Sequence, residues 1–167
     1  HYTRAIMISE ELGDKYFMGF ILMNIGTLYK DMGNYKKALD YHTRSLMIRE
    51  DISDKRGIGM SLLSIGTVHK NKGNYEKALD FYEKSLAINK EIENKRGEEI
   101  TLYKFGWIYR RKGDLVTALN YFERSLKISE ELSDNGRIVN LTTIGNLYAD
   151  KGEYDKALDC FERSLKI

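Results

Sequence analysis

The amino-acid sequence predicts an all-α solenoid, a stack of antiparallel helix pairs, on three observations. A sixteen-residue segment recurs along the chain: GNYKKALDYHTRSLMI (33–48) returns as GNYEKALDFYEKSLAI (73–88), GDLVTALNYFERSLKI (113–128) and GEYDKALDCFERSLKI (152–167). Within each repeat the apolar residues fall on one helix face and a glycine marks the junction between two such faces. Proline is absent from all 167 residues, which suits a chain that is nearly all helix with short connections.

The other half of each repeat is equally regular: NIGTLYKDM (24–32), SIGTVHKNK (64–72), KFGWIYRRK (104–112) and TIGNLYADK (143–151). Its glycines, Gly26, Gly66, Gly106 and Gly145, step by 40, 40 and 39 residues. A period in this range marks a stack of like supersecondary units, each of which buries its apolar face against its neighbours. The chain therefore reads as one array. Residues 1–15 form helix B of a truncated unit, followed by units at 16–55, 56–95, 96–134 and 135–167. TRAIMISEELGDK (3–15) matches TRSLMIREDISDK (43–55). Because the sequence opens inside a unit and stops before the last is complete, it is expected to be part of a longer protein.

The second unit shows how each element is specified. Leu62, Ile65, Gly66 and His69 share one face of a helix A running roughly from Gly57 to Lys72. Gly73 ends it, since glycine takes the left-handed conformation without a Cβ penalty. Asn74 is the expected N-cap of helix B, and Glu76 suits the positive end of its dipole. Ala78, Tyr82, Ser85, Leu86 and Asn89 form the buried face of helix B, and Asp80 and Lys84 pair on its outer surface. Gly66 and Ala78, with Gly26/Ala38, Gly106/Ala118 and Gly145/Ala157, should mark the closest approach of A and B. A mid-helix glycine costs about 1 kcal/mol relative to alanine, so its recurrence in one phase implies a steric demand.

Composition narrows the function class. A formal net charge of +2 argues against a chain-wide nucleic-acid footprint. No apolar run reaches the roughly 18 residues of a membrane span. The single cysteine rules out an intrachain disulfide framework and points to a reducing, cytoplasmic setting. His1, His42 and His69 lack metal-ligand spacing, and His42 and His69 occupy slots held elsewhere by aromatic residues. Cys160 stands where Tyr41, Phe81 and Tyr121 stand, so it reads as a packing residue of helix B. GIGMSL (57–62) follows no strand and lacks the third glycine of a phosphate loop. Neither a nucleophile–base pair nor a carboxylate dyad breaks the pattern, so the reading is a non-enzyme without cofactor or metal.

Leu62, Ile65, Gly66 and His69, then Gly73, Tyr75, Ala78, Tyr82 and Ser85, resemble the tetratricopeptide repeat, and four phased copies extend the resemblance over essentially the whole chain. The departures are a period of 40 rather than 34 and the missing proline after helix B. The extra residues lie around SDKRG (53–57), NKRG (94–97) and SDNG (133–136), which implies longer helices. The resemblance implies a right-handed superhelix whose A helices line a concave groove. Groove positions are then Phe20, Met23, Asn24, Thr27, Lys30 and Asp31 in the first unit and Met60, Leu63, Ser64, Thr67, Lys70 and Asn71 in the second. The third unit contributes Ile100, Tyr103, Lys104, Trp107, Arg110 and Arg111, and the fourth Val139, Thr142, Thr143, Asn146, Ala149 and Asp150.

Among these the third unit stands out, because Trp107 occupies a slot held by Thr27, Thr67 and Asn146. Trp, Tyr and Arg are the residues that dominate binding hot spots. Packing of Trp107 against a neighbouring helix is the competing reading. Five cations (Lys30, Lys70, Lys104, Arg110, Arg111) against two carboxylates (Asp31, Asp150) favour an acidic peptide. Met23 and Thr27 replace the Lys and Asn of a carboxylate clamp, and Asn146 alone represents an asparagine ladder. The expected function is therefore a scaffold module binding a peptide segment of a partner protein, with no nucleic-acid or membrane partner. The alternatives are an end-to-end self-assembling solenoid segment or the sensor arm of a larger regulator. An RNA code would need one polar reading position in every unit, and Thr27, Thr67, Trp107, Asn146 is not such a series.

Overall fold

A computed structural model describes residues 13–167, and these form helices joined by tight turns, with no strand among them. In chain order the helices are α1 (Lys15–Asp31), α2 (Tyr35–Asp51), α3 (Lys55–Asn71), α4 (Tyr75–Glu91), α5 (Lys95–Arg111), α6 (Leu115–Glu131), α7 (Gly136–Asp150) and α8 (Tyr154–Leu165). The reading of helix B in residues 1–15 falls almost wholly outside the described residues. The first six helices are each 17 residues long, about 25 Å at 1.5 Å per residue. The long period is therefore spent on helix, as expected, and not on loops.

Both kinds of turn follow one plan. At the A–B turn Gly33 has φ +74°; its N–H donates to the Lys30 carbonyl (3.0 Å) and that of Asn34 to Tyr29 (2.8 Å). At the B–A turn Ser53 takes the same left-handed conformation with φ 55°. Its N–H reaches Glu50 (3.0 Å) and that of Asp54 reaches Arg49 (2.8 Å). This is the Schellman closure, which satisfies the orphan carbonyls of the preceding helix. Glu93 and Ser133 occupy the corresponding left-handed positions. The next helix is then capped: Asp54 Oδ1 accepts from Gly57 N (2.9 Å) and Asn94 Oδ1 from Gly97 N (3.2 Å). The 39-residue step is absorbed at the turn before α7, where Asp134 Oδ1 accepts from Gly136 N at 2.7 Å. One cap expectation needs correction. Asn74 sits at the N-cap of α4 and its carbonyl accepts from Ala78 N (3.1 Å), but its side chain makes no capping bond.

The chain divides into two compact halves, one ending at Glu93 and one running Asn94–Ile167. In the first, α1 packs on α2 and α3 on α4, with α2 against α3 and α1 against α3. In the second, α5 packs on α6, α7 on α8, and α6 on α7. The phased glycines have a direct steric explanation. A Cβ on Gly66 would lie 2.6 Å from the Tyr82 ring and 3.2 Å from the Ala78 carbonyl oxygen. At Gly26, Gly106 and Gly145 it would lie 2.7, 2.6 and 2.6 Å from the rings of His42, Phe122 and Phe161. Each glycine of helix A is thus the seat for a ring sixteen residues later on helix B. The paired alanines Ala38, Ala78, Ala118 and Ala157 are buried.

Candidate binding faces

On α1 and α3 the residues expected to face a partner, Asn24, Thr27, Lys30, Ser64, Thr67 and Lys70, are all partly exposed. Their hydroxyls are turned back on the helix. Thr27 donates to the Met23 carbonyl (3.1 Å), Ser64 to Met60 (2.9 Å) and Thr67 to Leu63 (2.8 Å). A hydroxyl whose proton is spent this way faces outward as an acceptor. Lys30 pairs with Asp31 at 3.0 Å. Phe20 and Met60 are exposed. Met23, expected in the groove, is buried instead; an unbranched thioether gains more by lying against the core than by reaching into water.

In the second half the third-unit residues form a connected group. The Tyr103 hydroxyl lies 3.2 Å from Thr143 Oγ1 on α7, which is why Thr143, also expected in the groove, is buried. Trp107 is half-buried, with its ring edge-on to Tyr103 (6.3 Å between centroids) and to Phe122 (6.2 Å). It thus extends the core, as the packing reading of this position expected. The reason lies in the facing helix. In the second unit the ring under this slot is Tyr82, whose hydroxyl meets Thr67 at 3.3 Å; Phe122 has no hydroxyl and offers apolar surface that an indole covers. Arg110 closes the group, its guanidinium 5.2 Å from the Trp107 ring and 2.6 Å from Asp150. Lys104 is partly buried, while Arg111 and Asn146 are exposed.

The two histidines of the repeats are packing residues. His42 is buried, neither ring nitrogen has a hydrogen-bond partner, and its pKa is lowered to about 4 by burial and then by the charge of Lys30. His69 stacks on Phe81 at 5.5 Å, and burial, with Lys77 and Lys72, lowers its pKa as well. No described helix is long and apolar enough to cross a membrane.

A buried polar cluster escaped the sequence reading. Glu99 is 6% exposed; it pairs with Arg96 (3.1 Å) and accepts from Asn140 Nδ2 (3.2 Å), while Arg96 also pairs with Asp134. Ser125 Oγ donates to the Glu99 carbonyl at 3.0 Å. Burial raises the Glu99 carboxyl above its usual range, with Arg96 opposing. The repeat held a signal for this. Glu99 replaces Gly19 and Gly59, and Ser129 on the facing helix replaces Arg49 and Asn89, so bulk and charge have changed sides of one packing layer.

Family models described as tetratricopeptide repeat match residues 57–131 and 98–167, and another of the same description matches 21–56. No curated protein matches the sequence. Among solved structures, a Rap protein complexed with competence and sporulation factor is similar with a TM-score of 0.89 at 22% identity, over 99% of this chain and 47% of that one. BtubC from P. vanneervenii gives 0.82 at 19% identity, over 99% and 69%. The Rap conjugation gene regulator of plasmid pLS20, in complex with the Phr* peptide, gives 0.81 at 16% identity, over 99% and 48%. The chain spans about half the length of the two Rap proteins.

Proposed function

From the premise that this chain belongs to the tetratricopeptide repeat family, we propose that it is a protein-interaction module, holding a peptide segment of a partner protein against the outward faces of its A helices. The observation that carries this reading is the group on α5: a half-buried Trp107 fixed between Phe122 and the Arg110 guanidinium, with Lys104 and Arg111 on the same helix. An anchor whose rotamer is already locked loses little entropy on binding. Asn24, Ser64 and Asn146, with the turned-back Thr27 and Thr67, supply polar contacts, and Phe20, Met60 and Val139 supply exposed apolar ones. Cations outnumber carboxylates among these positions in each half, Lys30 and Lys70 against Asp31 in the first and Lys104, Arg110 and Arg111 against Asp150 in the second, which suits an acidic segment. The similarity to a Rap regulator in complex with a peptide supports the same reading. Cys160, buried and free, is compatible with a reducing cytoplasm.

The test is a triple variant, Trp107→Ala, Arg110→Ala, Arg111→Ala, set against a partner captured by the wild type. Loss of the anchor and two cations should weaken binding about tenfold or more, that is, by at least ~1.4 kcal/mol. Equal binding by a folded triple variant places the interface elsewhere.

A further inference from the structure

The fourth repeat departs from the other three at one position of helix B. In the first three repeats one position of helix B holds a ring that stacks on a ring of helix A: Tyr41 on Tyr29 at 5.4 Å, Phe81 on His69 at 5.5 Å, and Tyr121 on Tyr109 at 5.4 Å. Tyr121 also covers Phe105 at 4.9 Å. The fourth repeat keeps the helix-A side of this arrangement, Ile144 and Tyr148, but Cys160 stands where the helix-B ring belongs. The setting of the receiving ring is unchanged. Lys156 lies 5.2 Å from the Tyr148 centroid, as Lys37 lies 4.9 Å from that of Tyr29.

The missing ring leaves an open cleft of about 430 Å³ between α6 and α8, with Leu126, Leu141, Ile144 and Cys160 among the residues that line it and Tyr148 beside them. That is large enough for a sizeable side chain. Its rim is charged unevenly. Lys156 pairs with Glu153, and Arg163 lies between Glu130 and Asp159. Among the described residues Glu123 and Asp155, the other two carboxylates lining the cleft, make no ion pair. We propose that this cleft is a docking site for a partner protein's aromatic side chain flanked by a basic residue. The ring enters the slot that the chain fills for itself three times over and stacks on Tyr148. The basic neighbour meets Glu123 and Asp155. Cys160 serves by being small, not by its reactivity, and burial raises its thiol pKa away from the reactive range.

The test uses the full chain labelled with ¹⁵N and an acetylated, amidated Lys-Phe-Lys tripeptide as probe. Amide shifts should centre on α7 and α8 around Tyr148 and Cys160, and a Lys-Ala-Lys control should bind at least tenfold more weakly. Cys160→Phe restores the ring of the other repeats, so it should raise the melting temperature and abolish probe binding. The pair Glu123→Gln and Asp155→Asn leaves the apolar floor intact and should weaken the probe severalfold. Indistinguishable Phe and Ala probes, a Cys160→Phe chain that melts lower than wild type, or a charge variant that binds unchanged would each overturn the proposal. Phenethylamine binding as tightly as the tripeptide would overturn the partner-protein assignment in favour of a small aromatic cation.

Discussion

Acid should unpick the first helix pair through His42. The side chain is buried under Gly26 with neither ring nitrogen hydrogen-bonded, and its pKa falls from 6.5 to about 4, through burial first and Lys30 second. The unfolded chain takes up the proton near pH 6.5, whereas the folded chain resists it until near pH 4. Between those values the unfolded state binds more protons, so stability falls as pH falls and levels off below the folded pKa. Moving from about pH 7.5 to about pH 4.5 should remove roughly 2.5 kcal/mol through this one ring. His42→Phe isolates the effect, because phenylalanine fills the equivalent slot at Phe122 and Phe161. Urea titrations of both chains at the two pH values give the comparison, and the shared losses from His69 and the carboxylates cancel. Repeat arrays can open locally, so amide exchange should also show 15–51 opening first in acid, in the wild type alone. If wild type and His42→Phe lose stability in parallel, the buried ring is not the acid-sensitive element.

Gly66→Leu should lower the melting temperature by an amount equivalent to about 1–3 kcal/mol or more, since its Cβ would meet the Tyr82 ring at 2.6 Å; an unchanged melting temperature refutes the seating argument. Gly73→Ala, at φ +78° with open space around it, should cost only the left-handed strain of about 1–2 kcal/mol, separating crowding from backbone conformation. Asp54→Ala both uncaps α3 and strips the buried Arg49 of its carboxylate. A loss of about 3–5 kcal/mol is expected by chemical denaturation, with Asp54→Asn intermediate because it keeps the cap. If the two variants match, the ion pair and not the cap is the stabilising element.

The helix pairs, their turns and the glycine phase were legible because each is a local rule applied four times, so that one copy checks another. Asn74 shows the limit of such rules, since the side chain of a residue suited to capping accepts no capping bond. Trp107 was visible as a break in the pattern, but its role depended on Phe122 lacking the hydroxyl of Tyr82, a difference on another helix. Glu99 also broke the pattern, in place of Gly19 and Gly59, but its role depended on Asn140, which reaches it from another helix. Cys160 was assigned correctly to packing, yet whether neighbours collapse into the space of a lost ring is decided by three dimensions alone. Departures confined to one helix could be read from the sequence; those answered by a partner helix could not.

The sixteen-residue interval from glycine to ring survives even where the repeat shortens, since Gly145 and Phe161 keep it across the 39-residue step. Seat and ring therefore belong to one repeat and never to two. A duplication or deletion of any whole number of repeats, wherever its endpoints fall, leaves every ring facing a glycine. The array can lengthen or shorten without passing through a sequence that clashes with itself.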